Sequence, residues 1–399
     1  MKYHFIFFCA LLSILIFQNL YTVQAQNNKQ RDAILTKGMQ KFSAEYLKIL
    51  TKTQNDNFIS SPLSIGMVLA LAAYGADANT KKQLTKALNI PIYRLEFIRY
   101  FFDLNQIINY HTNFDMHFAN GLLVDNKIEI NDTQYQISEK IFNTRIETAS
   151  FEDKHDVADK IYKWYLRQTD RKIIPYNLNG AKLMGLSAVY FEGKCLPSIE
   201  NEVGFFKSAN EISKIQTVCS TLKLKYNYIL NNQILVYELP FETKDLGNRY
   251  SMFIFLPSIG TNLEVIYNNL HQIDFRNLFT IYPPICQKIC IPKIDIISQF
   301  KLHPYLHEMK ITDMFEESAN FSTLCSGEHA KMANVIQKAC FDIDSSRSSD
   351  CDYENSERCQ IPDSDVTIEQ PFVYAIVSKA ANLPILWGQI IDKNILYEV

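Results

Sequence analysis

Along this chain the apolar positions change period several times, and each change predicts an element. From Asp32 to Thr51, Ile34, Met39, Phe42, Tyr46 and Leu50 recur near helical spacing and read as an amphipathic helix. Ser61 followed by Pro62 is a helix start, a cap and then a first-turn proline. The helix it opens, Leu63 to Tyr74, is apolar nearly all round, the mark of a helix buried at the centre of a protein. The stretch from Gly75 to Thr80 breaks it, and a more polar helix runs on to Leu88. Leu95–Ile108 and Asp156–Gln168 have helical spacing, and Lys301–Met309 reads as a short helix. Phe118–Val124 and Ala181–Phe191 read as buried strands, and Leu235–Leu239 with Ser251–Leu256 as a hairpin around Thr243–Asn248. Cys290–Ile297 is expected to be a strand despite Pro292, and Val335–Ile343, rich in β-formers, is another.

After that strand the apolar pattern stops. Asp344 to Asp365 holds seven carboxylates (Asp344, Asp350, Asp352, Glu354, Glu357, Asp363, Asp365) against Arg347 and Arg358, and apolar sequence resumes only at Phe372. A run this long without a periodic pattern is uncommon inside a compact chain and marks a functional loop or a disordered one. With strand-like sequence on both sides, it is expected to be a loop held at both ends, with little or no regular structure from Ser345 to Asp365. No repeat, low-complexity tract or Pro/Gly/Ser linker divides the chain, so residues 26–399 are expected to form one α+β domain.

Composition adds capacity and an address. With 399 residues, 47% of them hydrophobic, the chain can bury a large core. A net charge of −3 and the absence of zinc-finger spacing give no case for nucleic acid, and Lys81, Lys82 and Lys86 read as a solvated helix face. Lys2 precedes an apolar run from Phe5 to Phe17, and Val23-Gln24-Ala25 offers a cleavage position, so residues 1–25 are expected to be a secretory signal peptide. Gln18, Asn19 and Thr22 interrupt that run before it is long enough to span a bilayer. A secreted, monomeric protein with no membrane contact after processing follows.

Export permits disulfides among Cys195, Cys219, Cys286, Cys290, Cys325, Cys340, Cys351 and Cys359. Cys286 and Cys290 share an extended segment whose four steps span about 13 Å, so they are not expected to bond each other. Cys351 and Cys359 lie in the polar loop, which can bend, and can bridge. Asn131-Asp132-Thr133 and Asn320-Phe321-Ser322 are acceptor sequons for N-glycosylation.

Catalytic and metal chemistry is poorly supported. Gly185-Leu186-Ser187 lacks the final glycine of a nucleophile elbow and reads as mid-strand. His303 and His307 stand at i and i+4 without a third ligand of obvious spacing, so they read as a surface helix end. No catalytic residue, metal or cofactor is assigned.

A series of motifs, each weak alone, carries a family resemblance over nearly the whole chain beyond residue 25. They are Asn57 to Ile65; Gly75-Ala76 with Asn79-Thr80 and Gln83-Leu84; Ile161, Trp164, Thr169, Lys172 and Ile173; Ala188-Val189-Tyr190-Phe191 with Gly193-Lys194; Glu238 to Phe241; Phe255 to Pro257; Pro292-Lys293; Ile311 to Phe315; Ala319 to Ser322; Lys338-Ala339; and Pro371-Phe372. In this order they resemble the serpins, the family of serine-protease-inhibitor fold. The chain departs from the family's usual residues at Ser187 (Asn), Cys195 (Trp), Gln337 (His) and Gln370 (often His). The resemblance implies a large central sheet, two smaller sheets, surrounding helices and an exposed C-terminal reactive-centre loop.

It also implies a mechanism. Residues 344–370 would be offered to a serine protease as bait, and after the first cleavage step the loop would insert into the main sheet with the acylated protease attached. Where the family's hinge has Glu, Gly, Thr and alanines, this chain has Ser345, Arg347, Ser348 and Asp350-Cys351-Asp352-Tyr353. Alternation would turn Ser348, Asp350, Asp352, Glu354, Ser356 and Arg358 inward. Burying unpaired carboxylates costs on the order of several kcal/mol each. A one-residue slip would instead bury Ser349, Cys351, Tyr353, Asn355 and Glu357, but it requires a bulge. Counting from the hinge places the bait bond at Ile361 and counting back from Pro371-Phe372 at Gln360, whereas Arg358-Cys359 is the bond a trypsin-like protease would choose. The alternative is a non-inhibitory member of the same fold acting as an extracellular binding or carrier protein.

Overall fold

The computed structural model describes residues 33–90, 94–109, 116–130, 132–169, 180–192, 200–209, 211–241, 250–279, 283–325, 330–343 and 364–393. The first helix, α1 (33–50), is followed by a short strand, β1 (Phe58–Ser60), and by α2 (Pro62–Gly75). Ser61 caps α2 by accepting a hydrogen bond from Ser64 N, and Pro62 opens its first turn. All fourteen α2 residues are buried, as its unbroken apolar composition requires. Then come α3 (Ala78–Ala87), α4 (Arg94–Asn109), β2 (Met116–Asp125), α5 (Asp132–Phe142), β3 (Thr144–Ala149), α6 (Lys154–Thr169) and β4 (Leu183–Glu192).

The second half is mostly β. It contains β5 (Glu200–Lys207), β6 (Ile212–Ile229), β7 (Ile234–Pro240), β8 (Tyr250–Pro257), α7 (Glu264–Asn269), β9 (Ile285–Pro292), β10 (Asp295–Lys301), α8 (His303–Glu308), β11 (Met332–Asp342), β12 (Ser364–Thr367), β13 (Phe372–Ser378) and β14 (Leu383–Ile390). Two expectations shift here. The Cys290–Ile297 segment is two strands in different sheets: β9 ends at Pro292, Lys293 N still donates to Gln216 O of β6, and β10 begins at Asp295 in the five-stranded sheet. Lys301 closes β10 instead of opening a helix, and α8 starts at His303.

A five-stranded sheet runs in the order β10-β11-β4-β2-β3, with β11–β4 and β2–β3 parallel and the other pairs antiparallel. The remaining strands join into one hydrogen-bonded path through β6, eighteen residues long. Its first part pairs with β5 and β9, and its last part, Lys225–Ile229, pairs with β7. The two smaller sheets therefore share one strand, and the fold is α+β.

The five-stranded sheet is buried on both faces. One face meets the main core, which includes α2 and takes Leu183, Val189, Val335, Ala339 and Phe341. The other meets a smaller cluster under α6, where Met184, Leu186, Ala188 and Ile336 pack with Ile161, Trp164 and Tyr165. This burial explains why β4 and β11 read as nearly continuous apolar runs. The helix sits close. A Cβ added at Gly121 of β2 would come within 3.1 Å of the Trp164 indole.

Two packing predictions follow from the other sheet. The hydroxyl of fully buried Tyr374 has no hydrogen-bond partner among the described residues, so Tyr374→Phe should leave the urea midpoint unchanged or raise it. A Cβ at Gly388 would land 2.3–2.6 Å from that tyrosine's ring and hydroxyl, so Gly388→Ala should cost about 1–3 kcal/mol in the same assay.

Candidate functional site

The site follows from the parallel β11–β4 seam of the main sheet. From Val335↔Gly185 to Asp342↔Glu192, β11 and β4 are paired without interruption, and a register shift separates only Met332↔Leu183. A strand that left the end of β11 and folded back would run antiparallel to β11. Because β4 is parallel to β11, the same strand would run antiparallel to β4 as well. The seam can therefore accept, as an added central strand, the segment that follows β11.

That segment begins immediately. Ile343 is buried and fixed by a hydrogen bond from its N–H to Ile294 O, 2.9 Å. On its far side Ser364 opens β12 in the other sheet, parallel to β9 with Ser364 opposite Gln287. β12 takes in Ser364 and Asp365, which were expected to lack regular structure, because the β9 edge supplies a ladder and Gln287 Nε2 donates to Ser364 Oγ at 2.6 Å. Further hydrogen bonds follow from Ile368 N to Cys290 O, Lys207 N to Glu369 O and Gln370 Nε2 to Pro257 O. The polar segment is held at both ends, by different sheets. Ser345, Arg347, Ser348, Asp350, Cys351, Asp352, Arg358, Cys359, Gln360 and Ile361 lie outside the described residues, as does Asn131. Asn320 is half-buried in a turn, its N–H donating to Thr80 Oγ1 and its Oδ1 accepting from Ser322 N.

Under the seam, on the α2 side, lies a closed polar cluster. Gln337 of β11 is opposite Ser187 of β4, and Ser187 opposite Asn120 of β2. Fully buried Gln337 uses both ends of its amide. Its Oε1 accepts from Ser60 Oγ (2.6 Å) and Ser61 N (2.9 Å), and its Nε2 donates to Ser61 O (2.8 Å) and Ser187 Oγ (3.1 Å). Counting hydroxyl protons then fixes every direction. Ser60 spends its proton on Gln337, so Tyr46 donates to Ser60; Ser64 spends its own on Asn120 Oδ1 (2.6 Å), so Ser187 donates to Ser64. The chain links α1, β1, β11, β4, α2 and β2. Burial pushes the Tyr46 hydroxyl up beyond its ordinary range, so it remains a donor.

On the opposite face Tyr165 of α6 shares one O–H between Ile336 O (2.9 Å) and Ser187 O (3.3 Å), one carbonyl from each side of the seam. Sequence reasoning singled out Ser61, Ser64 (within the Asn57 to Ile65 motif), Trp164, Ser187 and Gln337 but not Asn120 or Tyr165. Asn120 carried a usable signal, since it is a lone polar residue in an otherwise buried run and must have a partner.

The cysteines resolve in part. Cys219 and Cys290 form a disulfide across the β6–β9 pair, and Cys286 is disulfide-bonded too. Cys325 is a buried free thiol, and Cys340 is buried as well. The Cys351–Cys359 pair lies outside the described residues.

Comparison with known proteins agrees with this architecture. Residues 37–393 match the family model for serpin (serine protease inhibitor). The chain is 24% identical to Serpin B5 of Xenopus tropicalis over 369 residues, covering 86% of this chain and 94% of that protein. It is 24% identical to human Serpin B8 over 367 residues, with 87% and 96% covered. Among solved structures, serpin-12 of Manduca sexta superposes with a TM-score of 0.77 at 20% identity, covering 91% of this chain and 99% of that one.

The cluster makes a direct prediction. Gln337→Leu would keep the volume of the side chain and strip partners from Ser60, Ser61 and Ser187. Urea unfolding should show a loss of about 3 kcal/mol or more. A loss below about 1 kcal/mol would mean that the amide does not hold the seam.

Proposed function

The chain belongs to the serpin family, whose members inhibit serine proteases and are not enzymes, and on that premise we propose that it is a secreted serpin presenting residues 344–370 as bait. The observation that carries this reading is the uninterrupted β11–β4 seam next to a segment tethered to two different sheets. In this arrangement β11 and β4 pair directly with each other, and the described ends of the segment are fixed at Ile343 and at β12. Secretion is inferred from the signal-like residues 1–25, and the disulfide across β6–β9 is consistent with it. Asn131 and Asn320 are the proposed glycan acceptors.

The geometry also says what insertion would cost. Both faces of the sheet are buried beside the seam, so each register of the loop brings charge against protein. One register turns Asp350, Asp352 and Glu354 toward the main core; the slipped register puts them under α6. The Gln337–Ser187 hydrogen bond and the shared Tyr165 proton would also have to break. The protein is therefore expected to occupy a protease cleft as a substrate-like ligand more effectively than it traps the enzyme covalently. A Cys351–Cys359 bridge would add to this. Bridged Cα atoms lie within about 7 Å, whereas eight steps of inserted strand place them about 26 Å apart.

Incubation with a trypsin-like protease tests the reading. Cleavage should fall at Arg358-Cys359, with an SDS-stable adduct as the minor product, and Arg358→Ala should remove that cut. The nicked protein should melt within a few degrees of the intact one. A large rise in melting temperature after nicking, or adduct as the main product, would show efficient insertion and overturn the cost argument. Mass mapping of a non-reducing digest decides the Cys351–Cys359 bridge, and its absence would remove that added obstacle to insertion.

A further inference from the structure

Cys219 and Cys290 are directly opposite residues in the antiparallel β6–β9 pair, with Cα atoms 4.0 Å apart. Both are buried, and Thr217 Oγ1 is 3.9 Å from Cys219 Sγ. On the neighbouring strand β5, Glu202 stands opposite Thr217, two residues from Cys219 and on the same face of the sheet. Its carboxylate and the two sulfurs all lie within 4.8 Å of one another. Lys288, two residues from Cys290 on β9, reaches across to Glu202 and pairs with that carboxylate. Two thiolates and a carboxylate at this spacing form the ligand set of a small, thiophilic divalent ion.

We propose that the Cys219–Cys290 disulfide is the oxidised form of a metal site, and that reduction creates a Zn²⁺-binding centre of Cys219, Cys290 and Glu202. In zinc sites the metal lies about 2.3 Å from sulfur and about 2.1 Å from carboxylate oxygen, so two thiolates on one ion are no more than about 4.6 Å apart. Opposed cross-strand cysteines can meet that separation by side-chain rotation, without moving the strands. The charges close as well. Two thiolates and one carboxylate carry three negative charges, matched by the divalent ion and the Lys288 ammonium. The lysine also orients the carboxylate. The fourth position is left to water on the exposed Glu202 side, which gives the ion a way in.

The chemistry balances with a phosphine as reductant. The disulfide takes two electrons from the phosphine and two protons from one water molecule, whose oxygen leaves as phosphine oxide. The two thiols then lose their protons as Zn²⁺ binds. In the reduced protein the metal would take over the disulfide's role of tying β6 to β9, the strand against which β12 is anchored. Cys325 is no competitor, since burial pushes its thiol up to about 12.

The test uses the full chain, oxidised or phosphine-reduced, with Zn²⁺ followed by calorimetry and by melting temperature, and with Co²⁺ as a spectroscopic probe of thiolate ligation. The reduced protein should bind Zn²⁺ with a rise in melting temperature, and the oxidised protein should show neither effect. Because Glu202 is exposed, Glu202→Gln should fold normally and weaken Zn²⁺ binding by about 10- to 100-fold. A Cys219→Ser/Cys290→Ser double variant should lose the Co²⁺–thiolate absorption that the reduced parent gains at this site. Equal Zn²⁺ affinity in parent and Glu202→Gln, equal binding by oxidised and reduced protein, or an unchanged Co²⁺ spectrum in the double variant would each overturn the proposal.

Discussion

The pairing of β11 with β4 is the constraint on which the rest of this molecule depends. Parallel neighbours need a long crossover, and here the crossover contains everything from β5 to α8. The seam is closed by its ladder and by side chains on both faces, Gln337 with Ser187 below and Tyr165 above. It is also the one place where the chain leaving β11 could be accommodated antiparallel to both neighbours. Fold and proposed activity therefore meet in a single contact, and whatever holds the seam shut opposes the family mechanism.

That opposition is selective. In the hinge, where small residues would slip between strands cheaply, this chain has an arginine and a series of carboxylates. The polar cluster beneath is fully satisfied at Gln337 even though the family's usual histidine is absent. A primary amide supplies two acceptor and two donor positions in a fixed plane and does not titrate between pH 4 and 9. The cluster is thus held by geometry alone. The cost of opening it does not change with protonation at residue 337.

Most of the fold was legible because strong local signals agreed with it. Ser61-Pro62 before an unbroken apolar run could only be a capped, buried helix, and the two apolar strands flanking the seam were found for the same reason. The polar loop was visible as a place where patterning stopped. Other parts were hidden by physics that sequence does not display. β6 serves two sheets, so its inward positions change side along its length and no single alternation survives; β5 and the short β3 were missed with it. The disulfide joins residues 71 apart, and no spacing rule links them. Pro292 was read as a tolerated proline inside one strand, whereas the chain passes from one sheet to the next just beyond it.

Tyr165 has one more consequence. A sixth strand would widen the sheet by about 4.8 Å between the two carbonyls that this hydroxyl now bridges. One proton cannot span that gap, and Trp164 holds the same helix against Gly121 one strand further over. The helix would have to lift before the strand could pass and could settle again afterwards. The bond from Tyr165 to one of the two carbonyls would stay lost in the widened sheet, so α6 counts against opening both on the way and at the end.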